Sequence, residues 1–234
     1  MEETKQKSSS EHISPKKASG KRANDQEEPL LTYQHFFNIR NIDETDLISS
    51  VACCESDIVR PSLRFTMQAI GTKLGFIYRV KSDTGQVLSK SKPHEKQITA
   101  LYMQQKVAVL SASDDGMFKI TSMSAEFENK TIDPQEHELK CFALRDAHFN
   151  YNNIELFLGT GSGKLFYYSW GFIKVDKQII FDDIKEGPIT NIVCNNDIVA
   201  WSTQKKIRII HFSKKQKICL IERPPFYPTF PEYF

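Results

Sequence analysis

A turn recurs four times along this chain. Gly71-x-x-x-Gly75 in "AIGTKLGFIY" is matched by Ala112-x-x-x-Gly116 in "SASDDGMFKI" and by Gly159-x-x-x-Gly163 in "LGTGSGKLFYY". A looser copy runs from Ala200 to Lys206 in "AWSTQKKIRII". The aligned turn positions 75, 116, 163 and 206 lie 41 to 47 residues apart. A second marker precedes each copy: LISSV at 47, QITAL at 97, KCFAL at 140 and PITNI at 188. Between the turns stand short runs rich in Val, Ile, Phe and Tyr, broken by Gly, Asp, Asn, Ser or Lys, and no window sustains a helical period. A repeat of roughly 40 to 45 residues holding several strands is the length of a propeller blade. The expected fold is therefore all-β: a WD-repeat-like β-propeller with four blades over residues 29–234 and Lys206 in place of the fourth turn glycine.

The repeat bears on "GTGSGK", residues 159–164, which resembles a phosphate-binding loop at first sight. The segment occupies the same place as the turns at 71–75 and 112–116, so Gly163 reads as a hairpin residue that needs positive φ. The nucleotide pattern also fails by position. The leading glycine would fall at Leu158, the magnesium-binding hydroxyl at Leu165, and a strand, "LFYYSW", follows where a helix is required. A dinucleotide pattern would need its last glycine at Lys164. A nucleotide hydrolase rests on this stretch alone, and no enzymatic activity is expected.

Other polar constellations are read structurally. Asp114-Asp115 fills the hairpin turn before Gly116, and Asp182-Asp183 the loop before "EGPI". His94 and His137 sit in matching places ahead of the second and third units and are expected to make hydrogen bonds within their blades. The five cysteines, Cys53, Cys54, Cys141, Cys194 and Cys219, form no C-x-x-C and read as reduced thiols. No catalytic, cofactor-binding or metal-ligating residue is expected. The net charge of +2 implies no pull toward nucleic acid. Lys205, Lys206, Arg208, Lys214, Lys215 and Lys217 form a local basic cluster, either a solvated hairpin or a patch for anionic lipid or an acidic peptide. Residues 1–28 are polar and expected to be disordered; Ser14-Pro15 there fits a proline-directed kinase site. The aromatic, proline-rich end "IERPPFYPTFPEYF" has no strand pattern to bury it.

Five segments together carry a family likeness: "PLLTY" (29–33), "AIGTKLGFIY" (69–78), "SASDDGMFKI" (111–120), "EGPITNIVCNNDIVAWSTQKKIRII" (186–210) and "IERPPFYPTFPE" (221–232). The chain resembles the N-terminal propeller of the vacuolar protein sorting forty-one family, whose members are subunits of the homotypic fusion and vacuole protein sorting (HOPS) tethering complex. The "EGPI…DIVAW" piece is the most specific. The resemblance implies an interaction module in transport from endosome to vacuole or lysosome, cytoplasmic and held peripherally on those membranes by its partners. It implies contact with other tethering-complex subunits, a small GTPase of the late endosomal or lysosomal surface, and a vesicle cargo adaptor. It also implies that the four blades are part of a ring of about seven, so that the chain alone is expected to self-associate or to need a capping partner, with "LLTYQHF" (30–36) as a candidate closing strand. A generic WD-repeat scaffold outside membrane traffic is the alternative.

Overall fold

The computed structural model describes residues 45–54, 67–81, 84–104, 107–123, 128–146, 149–171 and 175–223. The polar tail 1–28, the segment 30–36 and the aromatic end lie outside them. The described residues form four antiparallel four-stranded sheets, each a simple meander. Blade 1 is β1 (Ile48–Cys54), β2 (Met67–Thr72), β3 (Ile77–Lys81) and β4 (Val87–Ser91). Blade 2 is β5 (Ile98–Gln104), β6 (Ala108–Ser113), β7 (Phe118–Ser122) and β8 (Lys130–Ile132). Blade 3 is β9 (Leu139–Leu144), β10 (Ile154–Thr160), β11 (Lys164–Trp170) and β12 (Val175–Asp182). Blade 4 is β13 (Asn191–Asn195), β14 (Ile198–Ser202), β15 (Lys206–His211) and β16 (Gln216–Glu222). Among the described residues one 3-10 turn, Ile184–Glu186, precedes blade 4.

The expected markers mark the first strand of each blade, and these first strands pack in series: β1 on β5, β5 on β9 and β9 on β13. The second strands of blades 2 and 3 are sandwiched between neighbouring blades, so β6 (AVLSAS) is buried at every position. A strand covered on both faces loses the in–out alternation, and its small and branched residues suit the confined space. The fourth strands are the sheet edges. There β12 (VDKQIIFD) and β16 (QKICLIE) are mostly exposed and carry lysines, which discourage edge-to-edge pairing.

Three apolar clusters fill the gaps between successive blades. Ala52, Ala69 and Ile77 meet Ile98, Met103 and Val109 between blades 1 and 2. Leu110, Phe118 and Ile120 meet Leu139, Leu156 and Phe166 between blades 2 and 3. Phe157, Leu165 and Tyr167 meet Ile189, Val199 and Trp201 between blades 3 and 4. The approach is close enough that a Cβ on Gly159 would lie 2.6 Å from Ile189 Cγ2.

The turn position is also as expected in three blades. Gly75, Gly116 and Gly163 have φ of 86°, 84° and 85°, a region side chains rarely occupy. The fourth turn corrects the alignment. In blade 3, Gly159 pairs with Leu165 around the turn, and in blade 4, Ser202 pairs with Ile207. The Thr203 N–H donates to the Lys206 carbonyl, whereas the Thr72 N–H of blade 1 donates to Phe76. The fourth loop is one residue shorter. Lys206 is therefore the first residue of β15 rather than a substitute for glycine, and the position that needed positive φ is missing from the turn.

Candidate functional site

The hydrogen bonding of 159–164 is that of a hairpin. Gly161 N–H donates to the Glu138 carbonyl, Gly163 N–H to the Thr160 carbonyl, and Lys164 N–H to Thr160 Oγ1. Lys164 Nζ lies 2.8 Å from Glu136 Oε1. A phosphate cradle needs free N–H groups and a free lysine; here they are already engaged.

The polar residues singled out in the sequence fall into one repeated device. In the segment entering blade 2, His94 is fully buried. Its Nδ1 lies 2.9 Å from Asp115 Oδ2 and its Nε2 2.8 Å from Ser111 Oγ. Burial pulls the ring below its ordinary value of 6.5 against the opposing charge of Asp115. The neutral ring then donates from Nδ1–H to Asp115 and accepts the Ser111 hydroxyl at Nε2. Burial would raise the Asp115 carboxyl, but the Met117 N–H, the His94 ring and the Glu95 N–H outweigh it and hold it low. Asp114 instead reaches across to Lys140 of blade 3, 2.9 Å away.

His137 is not the counterpart of His94; it is exposed. Glu136, one residue earlier, takes that place, accepting Ser162 Oγ and Lys164 Nζ at 2.8 Å each. Glu186 is the blade 4 version, 4% exposed, bonded to Thr203 Oγ1 and the Arg208 guanidinium, with Lys206 Nζ 3.6 Å away. Its carboxyl is held below the ordinary range by Arg208 first and Lys206 second. Histidine and carboxylate thus do the same work, tying the entry segment of a blade to its central hairpin. Asp183 caps the 3-10 turn by accepting from Lys185 N–H. All of these groups are internally partnered, and their geometry is architectural.

Among the described side chains Cys141, Cys194 and Cys219 are free thiols. Cys141 is buried in the junction of blades 3 and 4, and burial pushes its thiol up to about 12. Among the described residues no cluster of His, Cys, Asp or Glu could hold a metal ion, and no helix is long and apolar enough to cross a membrane.

What sequence reading missed is a groove. Outward from the Phe157–Trp201 cluster the facing blades leave a cleft of about 530 Å³. Its blade 3 wall is Ile179, Ile180 and Phe181 of β12, and its blade 4 wall includes Trp201, Arg208 and Ile210. The Arg208 guanidinium lies 4.8 Å from the Phe181 ring centroid while bonded to Glu186, so it closes one side as a neutralised cation. Lys215 and Lys217 also line the cleft and are exposed. The available signal was "QIIFD": three consecutive apolar residues in an edge strand. The register there slips between Leu165–Phe181 and Phe166–Ile179, leaving Ile180 as a bulge residue.

Comparison with known proteins agrees with this architecture. Residues 38–229, well over half of the chain, match the family Beta-prop_Vps41, described as "Vps42 beta-propeller". No curated protein matches. Among solved structures the chain is similar to the computationally designed Ika4 protein, with 17% identity over 77% of this chain and 99% of that one and a TM-score of 0.51. It is also similar to a chain of the Mitotic Checkpoint Complex, at 13% identity and a TM-score of 0.60, covering 77% of this chain and 52% of that one. This chain thus spans about half of that checkpoint-complex chain. Both likenesses are of fold. With the blade repeat, the three turn glycines and the match over 38–229 in agreement, the chain belongs to the Vps41 β-propeller family.

Proposed function

We propose that the chain is the non-enzymatic protein-interaction module of a HOPS-type tethering subunit, acting in vesicle-mediated protein transport from endosome to vacuole or lysosome. The observation that carries this reading is the family match over residues 38–229. In this reading residues 29–234 carry blades 1 to 4 and residues 1–28 form a polar tail. The partners are other tethering subunits, a small GTPase of the late endosomal or lysosomal surface and a vesicle cargo adaptor, and the module sits peripherally on those membranes through them. A rigid stack of sheets suits such work because its loops and grooves present fixed surfaces without any reaction.

Affinity isolation of the tagged chain from cells tests the assignment. Co-recovery of tethering subunits and delayed delivery of vacuolar cargo on depletion are expected. Recovery with nuclear or ligase-adaptor assemblies instead, with cargo delivery unchanged, would favour a generic WD-repeat scaffold. The non-enzymatic part is supported by the internal hydrogen bonding of 159–164. Calorimetric titration with ATP and GTP, with and without magnesium, is expected to show no binding in the native chain or in Lys164→Ala; binding lost in that variant would overturn it.

A further inference from the structure

The groove between blades 3 and 4 has walls of one chemistry and a mouth of another. Ile179, Ile180, Phe181 and Ile210 make it apolar. Trp201, only 4% exposed, lines it too. Lys215 and Lys217 bring positive charge, and no carboxylate is among the lining residues. The imbalance extends along the chain: residues 198–221 contain Lys205, Lys206, Arg208, Lys214, Lys215 and Lys217 and not one Asp or Glu. Glu186 compensates Arg208 and Lys206; it does not reach Lys215 or Lys217.

We propose that this groove is a docking site for an extended segment of a partner protein that carries a large apolar side chain flanked by carboxylates. The apolar side chain fills the space between β12 and β15. The flanking carboxylates meet Lys215 and Lys217, which line the groove beside its apolar walls. Three features select a peptide. The volume lies within the range of pockets that hold compact ligands, roughly 300–1,000 Å³. The walls are too apolar for a free anion. A flat lipid surface reaches the exposed lysines but does not fill the space between β12 and β15. The inference rests on reading the chain as an interaction module but not on the tethering assignment, so failure to recover tethering subunits would leave it standing.

The test titrates the full 234-residue chain with a panel of short synthetic peptides of alternating Glu and a central Leu, Phe or Tyr. The Trp201 indole resonance is followed, with Trp170 as internal reference. At least one peptide is expected to shift Trp201 saturably. Its affinity should fall about tenfold or more in about 1 M salt, where the screening length is ~3 Å. The double variant Lys215→Glu, Lys217→Glu should weaken it about tenfold, and the matched peptides with Lys for Glu should not bind. Ile179→Glu, at an exposed position of the groove wall, should weaken binding severalfold while the thermal midpoint stays near that of the native chain. The proposal is overturned if no peptide in the panel moves Trp201, or if binding survives the lysine reversal undiminished. It is equally overturned if phosphatidylserine vesicles move Trp201 and the peptides do not, which would make the surface a membrane contact.

Discussion

Between blades 2 and 3 the gap is filled from both sides. Phe118 stands edge-on to Phe142 with ring centroids 4.9 Å apart, and Leu110, Ile120, Phe149 and Phe166 complete the packing. Between blades 3 and 4 the inner half is packed the same way, with Phe157 edge-on to Phe212 at 5.1 Å. The outer half then opens into the groove. Both junctions place a cation over an aromatic ring: Lys177 lies 4.6 Å from Phe166 at the first, Arg208 4.8 Å from Phe181 at the second. Lys177 donates to the Pro134 carbonyl, so the first junction is capped. Arg208 turns inward to Glu186, and the space beside it stays free. The strand plan is common to both. What the third and fourth strands carry decides whether a junction becomes core or a surface cleft.

The largest expected difference comes from aromatic truncation at each. Phe118 is fully buried and Phe181 only partly so. Phe118→Ala should lower the free energy of unfolding by about 3–5 kcal/mol, and Phe181→Ala by about 1 kcal/mol, because less area leaves water there. Denaturant titration of both variants checks this. Equal losses would mean that the outer wall of the groove is core after all.

Much of this architecture was legible because hairpin chemistry repeats. A glycine at 75, 116 and 163 is demanded by positive φ, so the turns could be aligned from residue type alone. Where the demand lapses, alignment fails: the fourth turn lost the constrained residue, and Lys206 was assigned to a place it does not hold. His94 and Glu136 show the same limit at the side-chain level. They fill one role with different chemistry, so matching by residue type selected His137 instead. The groove was illegible for another reason. Its walls, "QIIF" and the lysines near 215, are far apart in the chain, and no local pattern states that two sheets splay apart between them.

The turn glycines extend the comparison, since each touches the entry segment of the next blade. A Cβ on Gly116 would lie 2.0 Å from the Glu136 carbonyl oxygen, and one on Gly163 would lie 2.8 Å from the oxygens of Asp183 and Gly187. Both valine variants also strain the backbone, at a cost of order 1–3 kcal/mol. Gly116→Val should lose more than Gly163→Val, and the order of their unfolding midpoints tests this. A larger loss at Gly163 would place the tighter contact at the wrong junction.

Acid should separate the two kinds of anchor. The His94 ring is depressed below 6.5 by burial, so its neutral form contributes fully above that pH, and the contribution is lost as pH falls from 6.5 through the folded value. Glu186 is depressed from 4.5, so its contribution is present above 4.5 and lost only as pH falls below that. Stability should therefore begin to fall near pH 6.5. His94→Gln, which keeps hydrogen-bonding capacity, should flatten the slope in that window at a cost of about 1–3 kcal/mol. Glu186→Gln should leave the slope unchanged. If the reverse variant flattens it, the histidine is not the acid-sensitive anchor.

The smallest effect concerns the rim of the open junction. Arg145, in the loop after β9, reaches Glu155 at 2.7 Å within blade 3 and Asp197 at 2.6 Å in blade 4. The filled junction has a cross-blade pair of its own, Asp114 to Lys140 at 2.9 Å. At the open junction the Arg145–Asp197 pair has a further effect, because a charged strut fixes the spacing of two sheets without occupying the space between them. All three side chains remain partly exposed, at 24%, 22% and 37%, so water and salt screen the pairs. Arg145→Ala should thus cost only about 1 kcal/mol, and less in high salt, whereas the cost of Phe118→Ala should be insensitive to salt. The more telling readout is the groove itself. Without the strut the blade 3–4 spacing should relax, altering the Trp201 indole resonance while leaving that of Trp170 in place. If Trp201 is unmoved by the loss of Arg145, the width of the cleft is set by the inner Phe157–Phe212 packing alone, and the charged rim plays no part in shaping it.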